Sequence, residues 1–224
     1  MKKKVVVSLL VVVVVMVGVG LLFAGKNGDQ IIVEEVVEEV VDEESDMDGL
    51  YNDVKGTCVS LQTSKLSGQG NVLSIVGSEV RVITARHVVE YADSVSVSFA
   101  NEVIGNGVVD YLSDQYDFAI VRLDVDEIPS RMSVVEFPEQ KLLYEESVVM
   151  LPMFDKYVIG NVVELEGYFP EFNSNLNRHQ MVVEPGMSGA GIFDVFGYYE
   201  GILVGGQEDE SVSLPYDVIL EALM

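Results

Sequence analysis

The sequence predicts an all-β protein of two lobes, with a short C-terminal helix and an apolar segment at its N-terminus. From residue 55 onward, short apolar or alternating runs recur, and glycine, asparagine and aspartate separate them, which is typical of a sandwich or barrel. The length of 224 residues is enough for one two-lobed β domain and an appendage. Only the last residues, from Tyr216 to Met224 after Pro215, show a helical pattern.

The N-terminal segment predicts a membrane anchor. A basic tail (residues 1–4) precedes the apolar run 5–25, whose only polar side chain is Ser8. As a helix of ~1.5 Å rise per residue, this run spans ~30 Å, the thickness of a hydrocarbon core. The lysines favour a cytoplasmic N-terminus, so we expect a single-pass protein of the cell membrane with its domain outside the cytoplasm. The alternative is a signal peptide that is cleaved near Ala24, which would give a secreted protein.

An acidic stalk, residues 26–50, is expected between the anchor and the domain. Within it, Ile32 to Val41 places valines with helical spacing, but glutamates four residues apart repel each other. A solvated spacer and a short self-associating helix both remain open.

The domain itself is expected over residues 51–224. Its predicted strands are Val72–Val76, Val80–Ile83, Val95–Phe99, Phe118–Leu123, Val148–Leu151, Val158–Leu165, Gly191–Phe193 and Tyr198–Val204. The first lobe should cover about 51–128 and the second about 141–213. Cys58 lies in a strand-like alternation, and as the single cysteine of the chain it forms no intramolecular disulfide.

Three short motifs carry the chemistry of the chain. They are Thr84–His87, Tyr116–Ile120 and Gly186–Gly191, and they present a histidine, an aspartate and a serine in that order. A serine hydroxyl is a weak nucleophile that needs a base, and the base needs a group that orients it. We therefore predict His87 as the base and Asp117, which enters an apolar strand, as its orienting carboxylate. Asp114 is a weaker candidate for that role because no apolar strand follows it.

The third motif predicts the nucleophile and the groups that stabilise its oxyanion. Ser188 would be the nucleophile, and the glycine at 186 allows the backbone to turn so that the N–H groups of Gly186 and Ser188 converge on one point. His179, the other histidine, stands in a polar stretch and is predicted to be a surface residue.

The three motifs together resemble those of the trypsin/chymotrypsin superfamily, and most closely the protease domain of compact bacterial HtrA/Deg proteases, without the PDZ domain found in most of them. The resemblance implies a double six-stranded β-barrel, with the active site in the cleft between barrels. It further implies a serine endopeptidase that acts through an acyl-enzyme on protein or peptide substrates.

The same resemblance implies the residues that bind substrate. Val204, Gly205 and Gly206 would pair with the substrate backbone as an added strand, and Val182 and Val183 would form the floor of the specificity pocket. Because no charged residue stands at these positions, we expect an uncharged pocket that prefers small or medium aliphatic side chains.

Charge and composition exclude some classes of binding partner. With a formal net charge of −24 and no basic stripe, nucleic-acid binding is not expected. No ligand cluster suggests a metal or an organic cofactor. Related proteases are often trimers, so homo-oligomerisation is left open. A catalytically silent binding or sensor module on the same fold is the alternative function, and coincidental motifs in a stalked structural protein are a more remote one.

Overall fold

The computed structural model describes residues 43–139, 148–153 and 155–224. In chain order, these residues form α1 (Glu43–Val54), a 3₁₀ turn (Lys55–Thr57), β1 (Cys58–Gln62), β2 (Ser67–Val76), β3 (Glu79–Thr84), α2 (Arg86–Val89), β4 (Val95–Phe99), β5 (Glu102–Leu112), β6 (Ala119–Asp124), β7 (Val148–Pro152), β8 (Tyr157–Phe169), β9 (Ser174–Gln180), β10 (Gly191–Asp194), β11 (Tyr199–Gln207), β12 (Glu210–Pro215) and α3 (Tyr216–Leu223).

Strands β1 to β6 form a closed antiparallel barrel in the order β1-β2-β3-β6-β5-β4. The barrel closes where β1 pairs with β4, with Leu61 opposite Val97. Strand β4 alternates buried and half-buried side chains, as a period of two dictates. Valines such as Val82 and Val121 are fully buried inside, where β-branched side chains pack well against neighbouring strands.

Strands β7 to β12 form a second closed barrel in the order β10-β11-β12-β9-β8-β7. It closes between β10 and β7, with Phe193 opposite Met150. Its smaller apolar cluster consists of Val162, Met181, Met187, Ala190, Ile192 and Leu203.

A shared apolar cluster packs the two barrels against each other. Barrel one contributes Ile83, Phe118 and Ile120, and barrel two contributes residues that include Phe193 and Tyr199. All five are at most 4% exposed. The loops that hold the three motifs meet along this boundary, so its packing fixes their relative positions.

The predicted all-β fold and the terminal helix are confirmed. Helix α3 begins after Pro215 and buries Tyr216 and Ile219 against the second barrel. The eight predicted strands correspond to β2, β3, β4, β6, β7, β8, β10 and β11.

Strands β5 and β9 and the body of β12 were not predicted as strands. Most side chains of strand β5 are exposed. Two of its inward positions are glycines, and a Cβ on one of them, Gly107, would lie 2.5 Å from Cγ1 of Val121. Its sequence therefore lacks the apolar alternation that marks a strand. Strand β9 reads as a polar loop because asparagine, arginine and histidine dominate it.

Helix α1 crosses the expected boundary between stalk and domain at residue 50. Leu50 and Val54 of this helix pack against the β10–β11 hairpin, where a Cβ on Gly197 would lie 3.3 Å from an atom of each. The last part of the expected stalk is thus a helix on the domain surface. In the part of the chain that the structure describes, no helix is long and apolar enough to cross a membrane. The predicted anchor, 5–25, and the basic tail lie outside the described residues.

Candidate active site

His87 and Asp117 are in direct contact at the rim of the first barrel. His87 lies in α2, the single turn that follows β3, and Asp117 precedes β6 by two residues. Because β3 and β6 are paired neighbours, with Thr84 opposite Ala119, the two loops emerge side by side. His87 is therefore in a helical turn after the strand rather than at the strand end itself.

Both carboxylate oxygens of Asp117 contact His87. The backbone N–H of His87 donates to Oδ1 at 2.9 Å, and ring atom Nδ1 lies 2.7 Å from Oδ2. Asp117 accepts from Nδ1–H, which leaves Nε2 with a lone pair that can take a proton. Asp114, the weaker candidate from the sequence, is exposed, and the carboxylate that His87 hydrogen-bonds is that of Asp117.

The contact with Asp117 also shifts the acidity of the imidazole. The hydrogen bond to Asp117 raises the pKa of His87 above 6.5, partial burial opposes this, and the charges of Asp117 and Glu90 reinforce it. The imidazolium is thus stabilised once it forms, which is what a base needs when it takes a proton in a transition state.

The loop of Ser188 is attached to both barrels. The carbonyl of Ser188 accepts from the N–H of Gln69 on β2 at 2.8 Å, and the N–H of Gly189 donates to Leu203 on β11 at 2.8 Å. Gly189 has a φ of +89°. A Cβ there would lie 2.2 Å from the carbonyl oxygen of Gln69 and 2.3 Å from Oγ1 of Thr84. Only glycine permits this approach, which brings the serine loop against the strand that leads to His87.

The segment before the serine leaves two amide groups free. Met187 donates its N–H to the carbonyl of Glu184 at 3.1 Å, and Ala190 donates to Met187 at 3.0 Å. Gly186 turns with a φ of +93°. Within the described residues, the N–H groups of Gly186 and Ser188 and the hydroxyl of Ser188 have no hydrogen-bond partner, so Ser188 is not hydrogen-bonded to His87. The loop therefore holds two unused donors beside an unused hydroxyl.

Of the two predicted pocket valines, only Val183 lies against the predicted substrate strand. Val183 is half-buried, and its Cγ2 would be 2.3 Å from a Cβ on Gly206. Val182 is 58% exposed. Val204 is buried, and Gly205 faces the ring of Phe172, which would lie 2.9 Å from a Cβ on that glycine.

Phe172, at the β8–β9 turn, was not identified from the sequence. Its immediate neighbours are Glu171 and Asn173, and the only signal was an aromatic ring between these two polar residues.

His179 is not a surface residue, and the sequence-based prediction is wrong on this point. It is 1% exposed and lies on β9, where Nε2 is 2.8 Å from Oγ of Ser213. Burial lowers its pKa to about 4, so the ring is neutral near pH 7. The sequence carried no clear signal for this burial, because Leu176 is the one apolar residue of β9.

A cleft of about 390 Å³ borders the serine loop on the side of β1 and β2. It is lined by hydroxyl and amide groups of barrel one and by the segment Glu184–Met187. Within the described residues, no group of three or more histidine, cysteine, aspartate or glutamate side chains is arranged to hold a metal ion.

Comparison with known proteins agrees with this geometry. The profile of the trypsin-like peptidase domain matches residues 68–202, more than half of the chain. The chain belongs to the trypsin-like peptidase family. It is accordingly a serine endopeptidase. No curated protein matches its sequence.

Among solved structures, the fold is similar to HtrA/Deg-type proteases. The inactive form of the Rv3671c protease is 19% identical, with a TM-score of 0.66 over 81% of this chain and 94% of that one. Deg5 is 17% identical, with a TM-score of 0.66 over 82% and 95%. The serine endoprotease of Yersinia pestis is 16% identical, with a TM-score of 0.63 over 76% of this chain and 64% of that one.

Proposed function

We propose that this trypsin-like peptidase hydrolyses peptide bonds with His87, Asp117 and Ser188 as its catalytic triad. The observation that carries the proposal is the double contact of Asp117 with His87. The Ser188 loop approaches the segment that leads to His87, because a Cβ on Gly189 would lie 2.3 Å from Oγ1 of Thr84. The contact fixes the ring and its tautomer, so that Nε2 is available as the base.

The chemistry then follows in two halves. Nε2 of His87 takes the hydroxyl proton of Ser188 while Oγ bonds to the substrate carbonyl carbon, and the oxyanion forms opposite the N–H groups of Gly186 and Ser188. The imidazolium gives its proton to the leaving amine, which departs and leaves an ester on Ser188. A water molecule, deprotonated by the same histidine, hydrolyses that ester and restores the free enzyme.

We place the substrate on β11 and at Val182 and Val183. The segment from Val204 to Gly206 lies beyond the part of β11 that pairs with β10, and this edge can accept an extended peptide as an antiparallel strand. Val183 lies against Gly206. We therefore expect the side chain of the substrate residue before the scissile bond to bind beside these two residues.

A fluorophosphonate probe tests the triad in the full chain, purified in detergent. We expect covalent labelling of Ser188, lost in Ser188→Ala and retained in Ser174→Ala, whose serine is buried elsewhere on β9. An unlabelled wild-type protein that is folded would instead favour the silent binding or sensor module.

We also propose that the enzyme is tethered to the outer face of the cell membrane by residues 5–25. The lysines and the length of the apolar run support this orientation. The full-length protein should pellet with membranes and resist a high-salt wash, and external protease should cut between about Asn27 and Tyr51. A mature N-terminus at Gly25 or Lys26 in the culture supernatant would establish the secreted form instead.

A further inference from the structure

Three polar side chains are enclosed inside the second barrel, and we name them the polar cluster: His179, Ser211 and Ser213. Each is 1% exposed. His179 is paired with Ser211 across β9 and β12, and Ser213 follows Ser211 by two residues, so all three point to the same face of the sheet.

Two polar atoms of the cluster have no partner within the described residues. Nε2 of His179 contacts Ser213, but Nδ1 of His179 and Oγ of Ser211 make no hydrogen bond. Whichever tautomer the neutral ring adopts, one ring nitrogen is left unsatisfied. Burying such a group unpaired is unfavourable, and the folded chain supplies no partner for either atom within the described residues.

The cluster lies directly behind the predicted specificity pocket. Ser211 is paired with Gly206 across β11 and β12. A Cβ on Gly206 would lie 3.3 Å from Cβ of Ser211 and 2.3 Å from Cγ2 of Val183. Val183 and Ser211 therefore both lie beside Gly206, where the substrate strand is expected to bind, and rotation of the half-buried Val183 side chain would let a substrate side chain reach Ser211.

We propose that the polar cluster is the floor of the specificity pocket and binds an uncharged, hydrogen-bonding side chain, an amide or a hydroxyl, of the residue before the cut (P1). The inference rests on the proposed function. An amide carries both a donor and an acceptor, and can therefore satisfy both Nδ1 of His179 and Oγ of Ser211. This replaces the aliphatic preference expected from Val182 and Val183 alone.

Other side-chain classes fit the cluster less well. An aliphatic side chain would leave the two unpaired atoms unsatisfied. A lysine or arginine would find no carboxylate among the three residues of the cluster, and a glutamate would bury its charge against a neutral ring.

Isosteric peptide pairs test the proposal in the full chain in detergent. The substrates are two sets of otherwise identical peptides, with Asn or Leu at P1 in one set and Thr or Val in the other. We expect kcat/KM to favour Asn over Leu, and Thr over Val, by about tenfold, because the polar side chain satisfies buried groups that the apolar one leaves unpaired. Ser211→Ala should lower both ratios several-fold, because one of the two unpaired groups is then absent. Ser174→Ala, a buried serine on the same sheet but away from Gly206, should leave them unchanged.

The outcomes separate the two proposals. Efficient cleavage with Leu and Val preferred, or ratios that Ser211→Ala does not change, would overturn the role of the cluster while the triad stands. Dominant cleavage after Arg or Glu would overturn it as well. A folded enzyme that neither cleaves any peptide nor reacts with the fluorophosphonate would overturn the proposed function and this inference with it.

Discussion

The backbone N–H of Gln69 in the first barrel donates to the carbonyl of Ser188 in the second, at 2.8 Å. This bond runs beside Gly189, whose missing side chain allows the two barrels to come together. The proposed nucleophile and the proposed base thus belong to different barrels, and this contact holds the loop of the nucleophile against the barrel of the base. If the proposed triad is correct, the interface between the barrels serves catalysis as well as stability.

Gly189→Ala should remove most activity and destabilise the domain. Its Cβ would overlap the carbonyl of Gln69 and Oγ1 of Thr84, at a φ of +89° that disfavours alanine. We expect a loss of about 2–4 kcal/mol in the free energy of unfolding and of more than ~10² in kcat/KM. Gly49→Ala is the control, because nothing lies within 4 Å of that Cβ on helix α1. Denaturant titration measures the free energy of unfolding, and peptide hydrolysis measures kcat/KM. If the Gly189→Ala enzyme were as stable and active as Gly49→Ala, the close approach at Gly189 would not hold the barrels together.

Ser188→Ala and His87→Ala should each abolish peptide hydrolysis without loss of stability. Neither side chain belongs to the apolar core, since that of His87 is 40% exposed and Ser188 is half-buried. Removal of either leaves the other without its function. The double variant should be no slower than either single variant. Single-turnover assays measure this, and a double variant that is much slower than both would show that the two residues do not act as one unit.

The strands and the three motifs could be predicted because their signal is local. An apolar run such as Val95–Phe99 has the period of a strand, and His87, Asp117 and Ser188 each stand in a short motif. The burial of His179 could not be predicted, because it depends on pairing with β12 more than thirty residues later. The same holds for the contact of Val183 with Gly206, which exists only once the second barrel has closed.

Asp117→Asn should lower kcat by about 10⁴ because the amide favours the wrong tautomer of His87. Asp114→Asn removes the same charge from an exposed neighbour and is the matched control. We expect this control to stay within a few-fold of the wild type. Steady-state kinetics at saturating substrate decides between the two carboxylates, and a loss of less than tenfold in Asp117→Asn would move the orienting role to another residue.

Activity should rise with pH through the ionisation of His87. The neutral ring is the base, and the hydrogen bond to Asp117 holds its pKa above 6.5. The midpoint of kcat/KM against pH should therefore lie above 6.5. In Asp117→Asn the residual activity should titrate at lower pH, since the main cause of the raised pKa is gone. A wild-type midpoint below 6.5, or an unchanged midpoint in the variant, would disagree with this assignment.

His179 should make the domain less stable in acid. Its pKa is 6.5 in an unfolded chain and about 4 when buried, so the unfolded state binds the proton first as the pH falls. Above pH 6.5 the ring is neutral in both states and this effect is absent. As the pH falls from 6.5 to about 4, the free energy of unfolding should decrease by about 3 kcal/mol. Glu200 acts in the opposite direction, because burial and the charges of Asp194 and Asp217 raise its pKa to about 7.

The two residues can be separated by the slope of stability against pH, measured by urea unfolding between pH 4 and 8. His179→Leu should lose the acid-side fall in stability relative to the wild type, whatever its absolute stability, because the titrating group is absent. Glu200→Gln should instead remove a loss of stability as the pH rises from 4.5 to about 7, since the unfolded state releases that proton first. A slope below pH 6 that is the same in His179→Leu and in the wild type would mean that the ring is protonated or solvated in the folded protein. That result would conflict with its enclosure between β9 and β12, and with a neutral floor for the specificity pocket.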